Sequence, residues 1–383
     1  MQTAVLANTS HVGRLSRYHK PGGRAISLLA GRAVRTANRQ QCRLRQRPKP
    51  ATVCASQRLS HHGQPVLDAA LTLLYPGRRL HEQQEAAAYF EMARMVNLLP
   101  SCVLVYLGAW IAGGRSLQAL LSAKVALLSA IAGSIAVGSC VLNDFFDYSV
   151  DIINEPNKPL PRHAVPLEGA LLLSFALYTS VLIAGCMLEP PALRAIIATS
   201  AAATLLYTPV LKRLTFVKNV AVASVIALTP LTGALALGQG PGVLAAVAGP
   251  CAALFCGILH REILMDLNDV DGDRENGVHT VPVVLGKRAA LAAAAGLAAA
   301  CVGAAGAVLA LNAGRGFLAA LSPTCQLLVR AAGGVLLCLG SAPLFGNVMS
   351  IVRRNFDSAT VKNAIDSSMQ SIGICLLVAA SFA

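Results

Sequence analysis

Asn143 to Pro161 reads NDFFDYSVDIINEPNKPLP. The stretch closes a long apolar segment. Behind the amide of Asn143 it sets four acids, Asp144, Asp147, Asp151 and Glu155. Over a hundred residues later DLNDVDGD, Asp266 to Asp273, closes another apolar segment in the same way. Charge resists leaving water, so acids beside a membrane are costly. Two such clusters need a chemical purpose.

The surroundings of both stretches are membrane-like. The chain has 383 residues, 55% hydrophobic and 13% charged, with a mean hydropathy of +0.59. Soluble proteins carry about 25% charged residues. Apolar runs long enough to cross a bilayer fall near 96–113, 118–141, 168–188, 191–210, 218–238, 243–265, 291–312, 326–347 and 364–382. The expected fold is therefore all-α and polytopic, with nine transmembrane helices.

Charge gives the membrane orientation. On the side shared with the N-terminus, the loops between the nine runs hold Lys158, Arg162, Lys212, Arg213, Lys218, Arg274, Lys287, Arg288, Arg353, Arg354 and Lys362. The opposite loops hold little beyond Arg115, Arg194 and Arg315. Basic loops mark the cytoplasmic face or its organellar equivalent. Both acid clusters fall on that basic face.

The formal charge of +14 suggests a nucleic-acid partner, but its distribution does not. Residues 1–67 contain twelve Lys or Arg and no acid. This Arg- and Ser-rich, acid-free composition is that of an organellar transit peptide. Thr52-Val53-Cys54-Ala55-Ser56 resembles a plastid processing site. Cleavage after Ala55 removes eleven basic residues and leaves about +3, so the excess is mostly an address. The expected organisation is a transit peptide over 1–55, a linker and amphipathic surface helix over 56–94, and a transmembrane domain over 95–383. The expected location is a chloroplast membrane with the active face towards the stroma, with the mitochondrial inner membrane as second choice. The eleven cysteines form no CxxC pair, which argues against a zinc site or a disulfide framework.

If the first cluster continues its helix, Asn143, Asp147 and Asp151 share a face at i, i+4 and i+8, and Asp144 points elsewhere. In the second, Asp269 and Asp273 are i, i+4 and Asp266 lies one turn earlier. Carboxylates that close resist ionising together unless cations intervene. An oxygen-only set without His or Cys suits Mg²⁺, which is commonly shared with substrate phosphates. The neighbouring bases Lys158, Arg162, Lys212, Arg213 and Arg274 suit a phosphate as well. Together they read as a Mg²⁺–diphosphate site at a membrane face.

These motifs resemble those of the UbiA superfamily of intramembrane prenyltransferases. NDFFDYSVDIINEPNKPLP is similar to the family's NDxxDxxxD…NxPxRP motif, with Lys158 where Arg is frequent. DLNDVDGDRENGVHTVPVVLG is similar to its second motif, and YTPVLKR, Tyr207 to Arg213, to the short element between them. The resemblance spans roughly residues 95–382. It implies nine helices around a central cavity, and transfer of a prenyl group from its diphosphate to a lipid or aromatic acceptor in prenyl-lipid or quinone biosynthesis. Geranylgeranyl or phytyl diphosphate is the expected donor. It further implies that Asn143, Asp147, Asp151, Asp266, Asp269 and Asp273 hold Mg²⁺, with Asp147, Asp151, Asp269 and Asp273 central to catalysis. Lys158, Lys212, Arg274 and Tyr207 then face the diphosphate. Phe145, Phe146, Tyr148 and Tyr207 can offer ring faces to an allylic cation. Two departures stand out: Arg162-His163 replaces a frequent Ser-Gly or Thr-Gly, and Met265 replaces a frequent Lys.

An ion-coupled transporter is the rival reading, since intramembrane carboxylates often line ion paths. Here the acids stand at helix ends on one face, which disfavours a relay through the bilayer.

Overall fold

The computed structural model describes residues 76–312 and 321–383, apart from 239 and 276. The expected transit peptide, and the part of the linker before Pro76, lie outside these residues. The described residues contain fourteen α-helices, one short 3-10 turn and no strand.

Helix α1 (Pro76–Met92) leads into α2 (Met95–Ala112). After the short α3 (Leu117–Leu120) come α4 (Ala123–Asn154), α5 (Leu167–Cys186) and α6 (Pro191–Tyr207). A 3-10 turn (Leu211–Arg213) precedes α7 (Val217–Ala227), α8 (Thr229–Leu237) and α9 (Pro241–Asn268). The second half holds the short α10 (Val270–Glu275) and α11 (Val281–Leu285), then α12 (Lys287–Leu311), α13 (Pro323–Arg353) and α14 (Ser358–Phe382).

Among the described residues, seven helical stretches are long and apolar enough to cross a membrane: α4, α5, α7 with α8, α9, α12, α13 and α14. The bent α1–α2 pair makes an eighth if counted as one span, and α6 is apolar but shorter. Each of the nine apolar runs thus contains helix, although only seven or eight qualify as spans. The run at 218–238 divides at Leu228, between Ala227 and Thr229. Pro230 follows at once and has no N–H to continue the ladder.

Lipid supplies no hydrophobic drive between helices, so close packing must hold them. The α2–α8 crossing shows how. A Cβ on Gly108 would stand 1.7 Å from the Pro230 carbonyl oxygen, and one on Gly233 would stand 1.8 Å from that of Val105. Two glycines therefore let the backbones touch. Helix α9 is a hub that packs on α7, α12 and α14, while α4 packs on α2 and α5. These two long helices carry the acid clusters.

Helix α4 continues past the expected end at 141 to Asn154, so the first cluster is helical. The second cluster corrects the expectation of one continuous helix. Helix α9 ends at Asn268, Asp269 takes a non-helical conformation (φ −97, ψ 5), and α10 begins at Val270. The Asp273 N–H still donates to the Asp269 carbonyl at 2.9 Å, so the i, i+4 relation survives the break.

Candidate active site

The C-terminal end of α4 presents Asn143, Asp147 and the buried Asp151 one turn apart. Asn143 Oδ1 accepts from the Thr208 hydroxyl at 3.1 Å. Lys212 Nζ donates to both oxygens of Asp147, at 3.0 and 2.7 Å. Lys158 Nζ does the same to Asp151, at 3.0 and 3.1 Å. Each lysine follows a helix end that returns to the same face: Lys158 lies in the loop after α4, and Lys212 in the 3-10 turn after α6.

Asp144 does not point away as expected. It is 4% exposed and accepts from Arg94 Nη2 at 2.7 Å. Its Oδ1 also lies 3.9 Å from Lys158 Nζ. Arg94, Asp144, Lys158 and Asp151 therefore form a chain of alternating charge. Arg94 sits between α1 and α2 in the left-handed region (φ 46), where a side chain is strained.

On the opposite side, buried Asp266 accepts from the ammonium of Lys218 and from Asn219 Nδ2 at 2.9 Å. Asp273 accepts from the Thr280 hydroxyl at 3.0 Å. Burial pushes the Asp273 carboxyl above the ordinary range, and the Thr280 hydrogen bond opposes that shift. Asp269 is exposed and accepts from Asn268 at 2.7 Å. Arg274 is paired instead with Asp271 at 3.6 Å, and both are well exposed. Lys287 shares the same Asp271 at 3.2 Å.

Tyr207 is the last residue of α6, one residue before Thr208, whose hydroxyl donates to Asn143. Its ring stands in the electrostatic field of Asp147, Asp266 and Glu262. Of the four rings considered for a cation, Tyr207 has this position. Phe145 and Phe146 meet each other edge-on at 5.6 Å, and Tyr148 packs against the Val141, Leu160 and Val165 cluster.

Acids and bases thus alternate across the site, and every acid in it offers oxygen alone. Among the described residues, no three acid, His or Cys side chains converge on one point. Ammonium groups stand beside Asp147, Asp151 and Asp266, where the carboxylates call for positive charge. The donor set and these stand-in cations fit a hard divalent ion that shares its charge with a phosphate group.

Sequence reasoning named Lys218 only as a loop charge and passed over Arg94, Thr208, Asn219, Glu262 and Thr280. Of these, Glu262 carried a signal: an acid one turn before Asp266, still inside an apolar run.

Residues 101–341 match the model of the UbiA prenyltransferase family. The digeranylgeranylglyceryl phosphate synthase of Natronomonas pharaonis is 40% identical over 207 residues, covering 54% of this chain and 72% of that protein. The synthase of the same name from Thermococcus kodakarensis is 35% identical over 207 residues, with the same coverage. Among solved structures, one described as a digeranylgeranylglyceryl phosphate synthase in membranes superposes with a TM-score of 0.59 at 21% identity, covering 78% of this chain and 98% of that one. A UbiA homologue from Aeropyrum pernix K1 superposes with a TM-score of 0.54 at 21% identity, covering 74% and 98%. At that identity the likeness is one of fold.

Proposed function

The chain belongs to the UbiA prenyltransferase family and is a multi-pass membrane prenyltransferase; from that premise we propose that it transfers a geranylgeranyl or phytyl group from the diphosphate, with Mg²⁺, to a prenyl-lipid or quinone precursor. The observation that carries this reading is the pair of oxygen-only acid clusters at the ends of α4 and α9, the first held by Lys158 and Lys212 and the second by Lys218.

Asn143, Asp147 and Asp151 on one side, and Asp266, Asp269 and Asp273 on the other, are the proposed Mg²⁺ ligands. When bound, Mg²⁺ supplies positive charge where the leaving diphosphate gathers negative charge. Lys158 and Lys212 already lie on two of these carboxylates and can swing to diphosphate oxygens without leaving the site. Arg94 holds Asp144, and through it the position of Lys158. Such pre-placed charges stabilise the departing group with little reorganisation. Arg274 faces Asp271 here, so its part in diphosphate binding requires it to turn from that exposed acid.

The relatives' name points to a glycerol-lipid acceptor, within the broader class of prenyl-lipid precursors. The proposed organisation keeps a transit peptide over 1–55, a linker and surface helix over 56–94, and nine spans from 95 onward around a central cavity. A plastid membrane with the site on the stromal side accords with the composition of residues 1–67.

The test supplies purified full-length protein with labelled geranylgeranyl or phytyl diphosphate, a panel of acceptors, and Mg²⁺ or EDTA. Metal-dependent transfer is expected. Solute flux in liposomes without transfer to any acceptor would establish the transporter instead. Asp147→Ala and Asp269→Ala are each expected to lower turnover by at least about 100-fold while the protein stays folded. Near-normal turnover in either removes that residue from the proposed set.

A further inference from the structure

Three lysines hold the proposed metal ligands, and they differ in what surrounds them. The side chain of Lys212 is 43% exposed and that of Lys158 24%, so either can leave its acid for water. That of Lys218 is only 11% exposed. Its partner Asp266 has both oxygens engaged: Oδ1 accepts from the Lys218 ammonium and Oδ2 from Asn219 Nδ2 at 2.9 Å. A divalent ion that takes Oδ1 repels the ammonium at close range. A buried ammonium that loses its acid needs another acceptor, because leaving it unpaired among apolar groups is costly.

Two such acceptors lie one helical turn away. Leu254, Ile258, Glu262 and Asp266 follow at intervals of four along α9 and so share a face. Leu254 and Ile258 belong to one packed cluster with Ala223 and Val220 of α7, and Asp266 bonds to Lys218 and Asn219 at the start of α7. Glu262 lies between these contacts and therefore faces α7 as well. It is 8% exposed, and no hydrogen bond or ion pair to it occurs among the described residues. Arg261, its chain neighbour, is turned to Met265, with Nη1 2.9 Å from Sδ. Asn219 is fully buried and its Oδ1 has no donor. A carboxylate only accepts, so Asp266 fixes the Asn219 amide with Nδ2 towards itself and leaves Oδ1 as the orphan. Buried acceptors without donors are rare and costly, and the nearby ammonium carries three donors.

Resting on the Mg²⁺ reading above, we infer that Glu262, with Asn219 Oδ1, is a second seat for the Lys218 ammonium. In the observed arrangement the ammonium holds Asp266. When a divalent ion takes Asp266 Oδ1, the ammonium moves one turn along α9 to Glu262, while Asn219 keeps Oδ2. Lys218, Asp266 and Glu262 stay ionised throughout, and no proton moves. Glu262 is thus a positioning residue. It sets the metal affinity of the site by accepting the charge that competes for a metal ligand.

The test uses the full chain in lipid nanodiscs, without prenyl diphosphate, and Mn²⁺ as the probe, with free Mn²⁺ read by electron paramagnetic resonance. Glu262→Gln is expected to bind Mn²⁺ about tenfold more weakly, because the ammonium then stays on Asp266. Glu262→Met removes the same charge on a side chain of similar length and is expected to show the same loss. Lys218→Met is expected to bind at least as tightly as the parent. Adding Glu262→Gln to Lys218→Met is expected to change the affinity by less than about twofold. Thermal melts followed by circular dichroism establish that each variant is folded. Parent-like binding by Glu262→Gln and Glu262→Met would overturn the inference. So would an undiminished loss from Glu262→Gln in the Lys218→Met background, since Glu262 would then act without the lysine. A parent protein that binds no Mn²⁺ would overturn the Mg²⁺ reading and this inference with it.

Discussion

His163 stands at φ 59, in the left-handed region that side chains with a Cβ enter at a cost of about 1–2 kcal/mol. Its N–H nonetheless donates to the Leu160 carbonyl at 3.0 Å, and the next N–H to that of Pro159 at 2.9 Å, so the turn after the proline run is tightly bonded. A glycine suits this backbone, and the family motif frequently has one at this point. Replacing His163 with Gly is expected to stabilise the protein by about 0.5–1 kcal/mol, read as a higher denaturation midpoint in detergent. A lower midpoint would mean that the imidazole makes a contact worth more than the strain. The same scale shows what spacing could and could not reveal. The period of a helix put Asn143, Asp147 and Asp151 on one face because a helix fixes that relation locally. Which base meets which acid is a matter of tertiary placement. The partnership of Lys218 with Asp266, 48 residues apart, has no local signature. Asp144 shows both cases: its partner Arg94 lies 50 residues upstream in the turn between α1 and α2, while its place beside Lys158 follows from the i, i+7 spacing to Asp151 on the same helix.

At the scale of elements, α1 does more than lie on a surface. Ala88 and Met92 are each 1% exposed and pack with Leu160 and Val165 from the loop after α4. Arg162 from that loop reaches back to Glu91 through both guanidinium ends, at 3.2 and 2.6 Å, and also donates to the Asn157 carbonyl at 2.8 Å. The loop carries Lys158, so α1 braces one of the proposed diphosphate contacts. The Arg162 that departs from the family pattern therefore has a local reason. The pair is half-exposed, so its worth is about 1 kcal/mol or less. Glu91→Arg alone and Arg162→Glu alone are each expected to lower kcat/KM for the prenyl diphosphate by about fivefold, and the double exchange is expected to recover most of it. Failure of the exchange to recover would assign the loss to the loop itself. Hydropathy found helix in each of its nine apolar runs, of which seven or eight are long enough to span among the described residues, but it missed the division of α7 from α8 and the break at Asp269. The first follows from Pro230, which lacks an N–H for the ladder although Leu228 itself stays in the right-handed helical region, and the second from Asp269 at φ −97, ψ 5, inside an acid stretch that hydropathy does not read.

At the scale of the whole molecule, the distribution of charge across the loops makes a prediction that needs no knowledge of substrate. In a cysteine-free background, single cysteines at Asp271 and Ser358 are expected to react with a membrane-impermeant maleimide from one side of sealed vesicles, and a cysteine at Glu189 from the other. All three positions are exposed. Labelling of Glu189→Cys together with Asp271→Cys would refute the alternation of loops. The acids themselves bear on how such a chain is made. A polytopic protein enters its membrane before it meets any substrate, and bare carboxylates would then oppose the closing of α4 towards α9. Here Asp147, Asp151 and Asp266 each arrive with a lysine from a neighbouring segment. The bundle therefore supplies its own counter-charges where α4 and α9 carry their acids.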